Sequence, residues 1–229
     1  MHIDQLQEEP LRWPDGKTPH SRRYGDRYYD STDGLAEARY VFLRGNDLPA
    51  RFQPGFRIAE LGFGTGLNLF AAMQCWKLNG IAGRLRYTGF EAYPLPASEM
   101  RRAAAQFPEL RHIAEAVIER WDPGMTGFRL AGIEFTLIIG DARDTVPQWI
   151  GEADAWFLDG FAPRCNPELW EPDLLRAVAS KTAEGGSFAT YTAAGQIRRS
   201  LADAGFNVRR QAGFGDKRHM SCGRKGVSR

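Results

Sequence analysis

Apolar residues recur along the chain with two spacings from residue 56 onward, one typical of buried strands and one of helices. Short apolar runs alternate with longer segments whose apolar positions return every three or four residues. The predicted strands cover residues 56–61, 84–91, 154–159 and 186–192, and the predicted helices cover 66–78, 96–107, 109–121, 173–183 and 194–205. Strands separated by helix-length segments predict an α/β fold with a mostly parallel, doubly wound sheet.

Two segments predict antiparallel pairing, because no helix separates their strands. Residues 128–141 have the pattern of a hairpin that turns at Ala131-Gly132, and residues 206–214 and 219–225 form a second pair. We expect the second pair to lie at the edge of the sheet.

The first 55 residues lack this alternation of strands and helices. A hairpin is predicted around Asp15-Gly16, and a short helix over residues 34–46 that ends at Gly45. A segment of this size is too small for a core of its own. The predicted organisation is therefore an N-terminal extension, residues 1–55, packed on a sheet domain, residues 56–229.

Composition limits the class of protein. Of 229 residues, 43% are hydrophobic and 25% charged, as in globular domains, and no apolar run is long enough to span a membrane. The three cysteines, the four scattered histidines and the absence of a secretory signal favour a cytoplasmic protein without a bound metal.

The net charge of +2 is unevenly distributed. From Gln196 to Arg229 there are nine Lys or Arg and two Asp, so this segment carries +7 and the rest of the chain −5. Clustered basic residues favour contact with phosphates, as in nucleic-acid binding, although a solvated basic surface explains them equally well.

The segment "AELGFGTGLNLF" places Glu60, Gly62, Gly64 and Gly66 at alternate positions between a predicted strand and a predicted helix. Glycines at such a turn let a ligand approach the backbone, where free amides at the helix start attract negative charge. The spacing differs from the G-x-G-x-x-G of dinucleotide-binding proteins. The alternative is a tight turn without a ligand.

Carboxylates also close the other predicted strands. Glu91, Asp141 and Asp159 each stand at a strand end, and ligands of open α/β sheets bind beside the carboxyl ends of the strands. Any one acid has an alternative explanation as a helix N-cap. Four acids in register suit S-adenosylmethionine, which presents an ammonium, a ribose diol and an adenine amine.

The chain resembles the methyltransferase half of the bifunctional tRNA-modification MnmC proteins and the stand-alone MnmD-type enzymes. The resemblance rests on "SRRYGDRYYDSTDGLAEARYVFLRGN", "AELGFGTGLNLF", "DAWFLDGFAPRCNPELW" and "GFGDKRHMSCG", which together extend over nearly the whole chain. One departure is Arg164-Cys165, between the Ala-Pro and Asn-Pro pairs.

The resemblance implies a class I methyltransferase fold with a seven-stranded, mostly parallel sheet and an antiparallel edge strand. It implies transfer of a methyl group from S-adenosylmethionine to the amine of 5-aminomethyl-2-thiouridine at the tRNA wobble position. It also implies tRNA, through its anticodon loop, as partner, and a FAD-dependent activity, either on a separate enzyme or on a second half of a bifunctional protein, that prepares the amine.

Asp159 is the predicted catalytic residue of this site. A carboxylate with a pKa of about 3.9 is a poor base for an alkylammonium with a pKa of about 10, so Asp159 is expected mainly to accept an N–H hydrogen bond and orient the amine. Phe161 is expected to pack on the uracil or on the methyl group, with core packing as the alternative. Tyr28 lies in a segment expected to close over the cofactor.

The remaining candidates are polar residues near the two ends of the chain. Lys217 and Arg218 are expected to contact substrate phosphates. Arg39 is either a partner of the cofactor carboxylate or part of a surface ion pair, and Tyr29 is expected to pack in the N-terminal hairpin.

Two other classes of function remain open. One is a methyltransferase for a small-molecule or protein amine, with aminopropyl transfer as a related variant. The other is a non-catalytic RNA-binding module, against which the acids at positions 60, 91, 141 and 159 count because they would repel phosphates.

Overall fold

The computed structural model describes residues 11–130 and 132–226 of the chain. Its centre is an eight-stranded sheet with the order β5-β6-β4-β3-β7-β8-β10-β9. The strands are β3 (Arg57–Leu61), β4 (Leu85–Glu91), β5 (Gly127–Leu130), β6 (Ile133–Ile139), β7 (Ala153–Leu158), β8 (Thr182–Thr190), β9 (Phe206–Ala212) and β10 (His219–Lys225). A separate two-stranded ribbon joins β1 (Leu11–Arg12) to β2 (His20–Ser21).

Five neighbouring strands, from β6 to β8, run parallel, and helices cover both faces of the sheet. The helices are α1 (Gly34–Ala38), α2 (Leu67–Leu78), α3 (Ala97–Ala104), α4 (Arg111–Ile118), α5 (Ala142–Gln148), α6 (Pro172–Ser180) and α7 (Gly195–Asp203). The α/β prediction is therefore confirmed. Because the parallel strands share one direction, the segments that follow them meet at one edge, where a ligand site is expected.

Two hydrophobic clusters lie on opposite faces of the sheet. On one face, α2 is buried over most of its surface, with Leu69 and Phe70 against Tyr87 and Phe135 of the sheet. On the other face, Trp156 of β7 packs with Leu175 of α6. A helix that is apolar nearly all round belongs in a core, so α2 and the glycine loop before it are held firmly.

The N-terminal residues belong to the same core as the sheet. After α1, a π-helical turn (Arg39–Leu43) and a 3₁₀ turn (Arg44–Asn46) continue the chain, with Val41 and Phe42 buried in the first cluster. Asn46 is fully buried and donates to the carbonyl of Trp156 at 3.3 Å. The boundary between the extension and the sheet domain at residue 55 stays a prediction. The first ten residues of the extension, 1–10, and the last three of the sheet domain, 227–229, lie outside the described residues.

Several details differ from the sequence expectations. The sheet has eight strands and not seven, because β5 adds an antiparallel strand beside β6. The predicted antiparallel pair of β9 and β10 does lie at one end of the sheet, but β10, which is antiparallel to β8, lies between β8 and β9 and not at the edge itself. The helical segment does not end at Gly45; it continues to Asn46, and Asp47 adopts the left-handed conformation. Gly45 instead serves packing, because an added Cβ would be 2.7 Å from the Cβ of Ala189.

Helix α5 was not predicted, because Pro147 lies inside it. Both predicted hairpins form, at Asp15-Gly16 and between β5 and β6. In the second turn Gly132 has φ +78°, whereas Ala131 lies outside the described residues.

Candidate active site

The glycine loop connects β3 to α2 and has the conformation that only glycine adopts readily. Gly62, Gly64 and Gly66 have φ values of +80°, +52° and +81°. A Cβ on Gly62 would be 2.6 Å from the carbonyl oxygen of Asp159. The loop therefore lies directly against the segment that follows β7.

A cavity of about 770 Å³ opens beside this loop at the carboxyl ends of the strands. A cavity of this volume can enclose most of a small-molecule cofactor. Seven carboxylate residues and five cationic residues line it, so its wall has a net negative charge. The structure places Glu91, Asp141 and Asp159 in this wall, together with Gly62, Gly64, Tyr28, Phe161 and Lys217.

Glu60 and Gly66 do not line the cavity. Glu60 is fully buried, accepts hydrogen bonds from Asn68 Nδ2 at 2.7 Å and Tyr87 Oη at 2.7 Å, and lies behind Asn68. Burial raises the pKa of Glu60 well above its usual value, and the nearby charge of Asp159 raises it further. A Cβ on Gly66 would meet Met100 and Phe70 at 3.1 Å, so this glycine serves packing.

Asp159 follows β7 and faces the cavity. Its backbone N–H donates to the carbonyl of Leu61 at 3.0 Å, and its Oδ2 accepts from Asn68 Nδ2 at 2.6 Å. Burial of the carboxyl group raises the pKa of Asp159 to about 7. The hydrogen bond from Asn68 and the charge of Lys217 each lower this pKa, whereas the charge of Glu37 raises it.

Asn68 is the functional candidate that sequence reasoning missed. Its side chain is almost completely buried and its amide donates to both Glu60 and Asp159. The available signal was a polar residue inside the otherwise apolar segment 67–73. Asn68 holds the Asp159 carboxylate at one orientation, because an amide that donates to a carboxylate forms a strong hydrogen bond.

Glu91 and Asp141 are anchored before any ligand arrives. Glu91 closes β4 and accepts from the backbone N–H groups of Gly64 and Tyr93, each at 2.9 Å. Asp141 caps α5 by accepting from the Arg143 N–H at 2.9 Å, and it forms an ion pair with the Arg143 side chain at 2.6 Å. Asp141 therefore has the capping role considered for it, and it also lines the cavity.

Three aromatic rings form one wall of the cavity. The Phe161 ring centroid is 4.9 Å from that of Tyr24 and 5.0 Å from that of Tyr28. The carboxylate of Asp26 accepts from the N–H of Ala162 at 2.8 Å, which ties the N-terminal segment to the corner after β7. Tyr28 also lies against the glycine loop, since a Cβ on Gly64 would be 3.0 Å from its ring, and its role over the cofactor stays a prediction.

Lys217 lies inside the cavity and forms an ion pair with Glu37 of α1. Its ammonium lies 4.6 Å from the ring centroid of Tyr191. Arg218 is exposed and is not part of the cavity wall. The neighbouring sequence candidates Lys217 and Arg218 therefore have different surroundings.

Two further candidates contact protein groups. Arg39 donates to Gln74 at 2.6 Å and pairs with Glu109 at 3.6 Å, which is the surface ion pair considered for it. Tyr29 packs against Phe107 with ring centroids 5.3 Å apart, and burial raises the pKa of its hydroxyl.

The described residues contain no group of three or more His, Cys, Asp or Glu side chains arranged to hold a metal ion. Within the same part of the chain, none of the helices has the length and apolar character that a bilayer crossing requires.

Comparison with known proteins agrees with this geometry. Residues 108–226 match the family described as S-adenosyl-L-methionine-dependent methyltransferase. The chain is 45% identical over 224 residues to the tRNA 5-methylaminomethyl-2-thiouridine biosynthesis bifunctional protein MnmC of Chromobacterium violaceum, which covers 93% of this chain and 34% of that protein. It is 44% identical over 223 residues to the protein of the same name from Caulobacter sp., covering 91% of this chain and 37% of that protein.

A solved structure, MNMC2 from Aquifex aeolicus, superimposes with a TM-score of 0.78 at 27% identity, covering 97% of this chain and 72% of that chain. The chain spans about a third of the length of the two curated relatives. The fold, the acid-lined cavity and these matches show that the chain belongs to the S-adenosyl-L-methionine-dependent methyltransferase family, in the branch that it shares with the MnmC proteins.

Proposed function

We propose that the chain transfers a methyl group from S-adenosylmethionine to the amine of 5-aminomethyl-2-thiouridine in tRNA. The product would be the 5-methylaminomethyl nucleoside that appears in the names of its relatives. The observation that carries the proposal is Asp159, a carboxylate at the cavity wall with a pKa raised to about 7, held by Asn68 beside an aromatic wall. This arrangement suits an amine on a flat heterocycle.

The residues present fit the cofactor. A net negative wall suits a ligand that carries a sulfonium and an ammonium, and the positive φ values of Gly62 and Gly64 bring the backbone of the glycine loop to the cavity. Glu91 would hold the ribose diol: a carboxylate accepts up to about four hydrogen bonds, so anchoring by two amides is compatible with this role. Asp141 would accept from the adenine amine, and Tyr28 would cover the ligand.

In the reaction the cofactor supplies an electrophilic methyl carbon on a sulfonium. Methyl transfer would form a nitrogen–carbon bond in place of the carbon–sulfur bond, whose electron pair would stay on sulfur, and one proton would leave the nitrogen. Asp159 accepts an N–H hydrogen bond, aligns the lone pair and stabilises the positive charge that develops on nitrogen.

The raised pKa of Asp159 also makes proton acceptance more accessible than the sequence suggested. Against an alkylammonium with a pKa of about 10.4, a carboxyl with a pKa of about 3.9 is mismatched by about 9 kcal/mol, whereas one near 7 is mismatched by about 5 kcal/mol. Orientation of the amine remains the main role, and transfer of the proton to Asp159 or to water follows.

Phe161, Tyr24 and Tyr28 would receive the pyrimidine. RNA-binding proteins stack unpaired bases on aromatic rings, so a wobble base turned out of the anticodon loop would fit this wall. The basic groups near it, Arg23 and Arg164, are exposed and line the same cavity. They are better placed to meet anticodon phosphates than the basic residues of β9.

The cellular setting belongs to the same proposal. tRNA modification would place the protein in the cytoplasm. The aminomethyl group would come from a FAD-dependent activity, either on a separate enzyme or on a further part of a bifunctional protein.

Nucleoside mass spectrometry tests the proposal. tRNA that carries 5-aminomethyl-2-thiouridine is incubated with S-adenosylmethionine and wild-type protein, Asp159→Ala, or Asp203→Ala as a surface control. We expect a gain of one methyl on that nucleoside with wild type and the control, and a rate at least about 100-fold lower with Asp159→Ala. Cofactor binding without methylation of this nucleoside would refute the substrate assignment and favour a small-molecule or protein amine.

Equal rates for the wild type and Asp159→Ala would refute the role of Asp159. RNA binding without cofactor binding would instead favour the non-catalytic RNA-binding module.

A further inference from the structure

An ion pair between distant parts of the chain lies in the cavity that Asp159 also lines. Glu37 comes from α1, and Lys217 comes from the turn between β9 and β10. This turn is tight: the Lys217 N–H donates to the carbonyl of Phe214 at 3.0 Å, and a Cβ on Gly213 would be 2.1 Å from the carbonyl oxygen of Lys217. The backbone therefore presents Lys217 to the cavity in a defined position.

Both members of the pair are held by further contacts. Glu37 is only 7% exposed and accepts from the N–H of Asp30 at 3.1 Å. Lys217 lies over the ring of Tyr191, and the Tyr191 hydroxyl donates to the carbonyl of Gly160 at 2.7 Å. Gly160 follows Asp159 directly, so one chain of contacts links the ion pair to the corner that carries the carboxylate.

We propose that Glu37 and Lys217 are positioning residues that set the charge of Asp159 and so the pH range in which it serves the amine. This role rests on the proposed function. The two charges act on Asp159 in opposite directions, because a nearby anion disfavours the carboxylate and a nearby cation favours it. Glu37 raises the pKa of Asp159 and Lys217 lowers it.

Other groups surround Asp159 and stay unchanged when the pair is altered. Glu60 lies behind Asn68, and Asp26 is held by the N–H of Ala162. Further titratable or charged neighbours of this region are Arg27, Asp30, Tyr87, Glu91, Arg164, Cys165, Glu168 and Tyr191. A shift measured on changing Glu37 or Lys217 alone therefore reports on the pair.

The experiment measures the pKa of Asp159 directly, by NMR of ¹³C-labelled aspartate carboxyl groups in the full chain without cofactor. The Asp159 resonance is identified by its loss in Asp159→Asn. We expect Lys217→Met to raise the midpoint by about 1 pH unit, Glu37→Gln to lower it by a similar amount, and the double variant to return close to wild type. Lys217→Arg keeps the charge and should shift it little.

A second readout is the pH profile of kcat/KM for methyl transfer, whose acidic limb should move in the same directions as the NMR midpoints. A purely structural ion pair predicts that both single variants lose activity without opposite shifts. The proposal is overturned if the two NMR midpoints move in the same direction, or if neither moves by more than about 0.3 pH units.

Two controls keep these outcomes separable. Should Lys217→Met fail to fold, Lys217→Gln carries the same test. Absence of methylation by the wild-type protein would refute the proposed function alone, because the NMR titration requires no substrate.

Discussion

Replacing Asp159 by Asn is expected to lower turnover strongly, because the charge on Asp159 is lost, and at the same time to stabilise the folded protein at neutral and alkaline pH. Burial raises the pKa of Asp159 from 3.8 to about 7, so the folded state binds a proton more tightly than the unfolded state. Stability attributable to Asp159 therefore falls as the pH rises from about 4 to about 7, and it stays constant above. Asn has no charge to desolvate, and its carbonyl can accept the hydrogen bond from Asn68.

The magnitude follows from the size of this shift. About three pKa units correspond to about 4 kcal/mol, and partial access to solvent through the cavity reduces this to about 2 kcal/mol. Urea denaturation of wild type and Asp159→Asn, without cofactor, at several pH values from 4 to 8.5 measures the difference. Asp203→Asn, an exposed position at the end of α7, is the control and should show no pH-dependent difference.

The reasoning is refuted if Asp159→Asn is no more stable than wild type at pH 8.5, or if its advantage does not grow with pH. Glu60 is present in both proteins, but the charge of Asp159 raises its pKa, so the measured difference includes the relief of Glu60 in Asp159→Asn, which has the same sign. A stabilised but inactive variant would show that the fold tolerates an unfavourable charge for the sake of the reaction.

Three further predictions concern the residues around Asp159 and the cavity rim. Asn68→Ala removes the donor that lies 2.6 Å from the Asp159 carboxylate, so the pKa of Asp159 should rise above about 7 and the acidic limb of the pH–rate profile should move to higher pH. Gly62→Ala should lower stability by at least about 1–2 kcal/mol in thermal denaturation and weaken cofactor binding in calorimetry, because the added Cβ meets the corner after β7. Gly16→Ala is its control: φ is +71° there, but nothing lies within 4 Å, so only the conformational strain should appear and cofactor binding should persist. Arg164→Ala should weaken tRNA binding and reduce the slope of log K against log salt by about one, and an unchanged slope would exclude a phosphate contact.

The features that could be predicted from sequence are those specified by neighbouring residues. The glycines of the loop and the acids at the strand ends are readable because a strand, a turn and a helix follow one another within a few positions. All three glycines have positive φ, as the spacing indicated, and Glu91 closes its strand as expected. These features depend on local backbone geometry, which the sequence pattern expresses directly.

Features that depend on packing between distant residues could not be predicted. Whether Glu60 faces the cavity or the core depends on Tyr87 and Asn68, which close around it only in the folded chain. The Glu37–Lys217 pair joins positions 180 residues apart. The insertion of β10 between β8 and β9 likewise depends on tertiary pairing. The residue patterns of β9 and β10 are compatible with either strand lying next to β8, so the sequence does not decide between the two strand orders.

The position of β9 also explains basic residues that the cavity does not use. Among the described residues, no strand pairs with the outer side of β9 or of β5, so both ends of the sheet leave backbone groups available to another chain. β9 carries the exposed Arg209 and Arg210, and β5 carries the exposed Arg129. Charged side chains on edge strands oppose edge-to-edge association, because a second sheet would have to bring like charges together. We therefore expect the two arginines on β9 to disfavour edge-to-edge association of this strand.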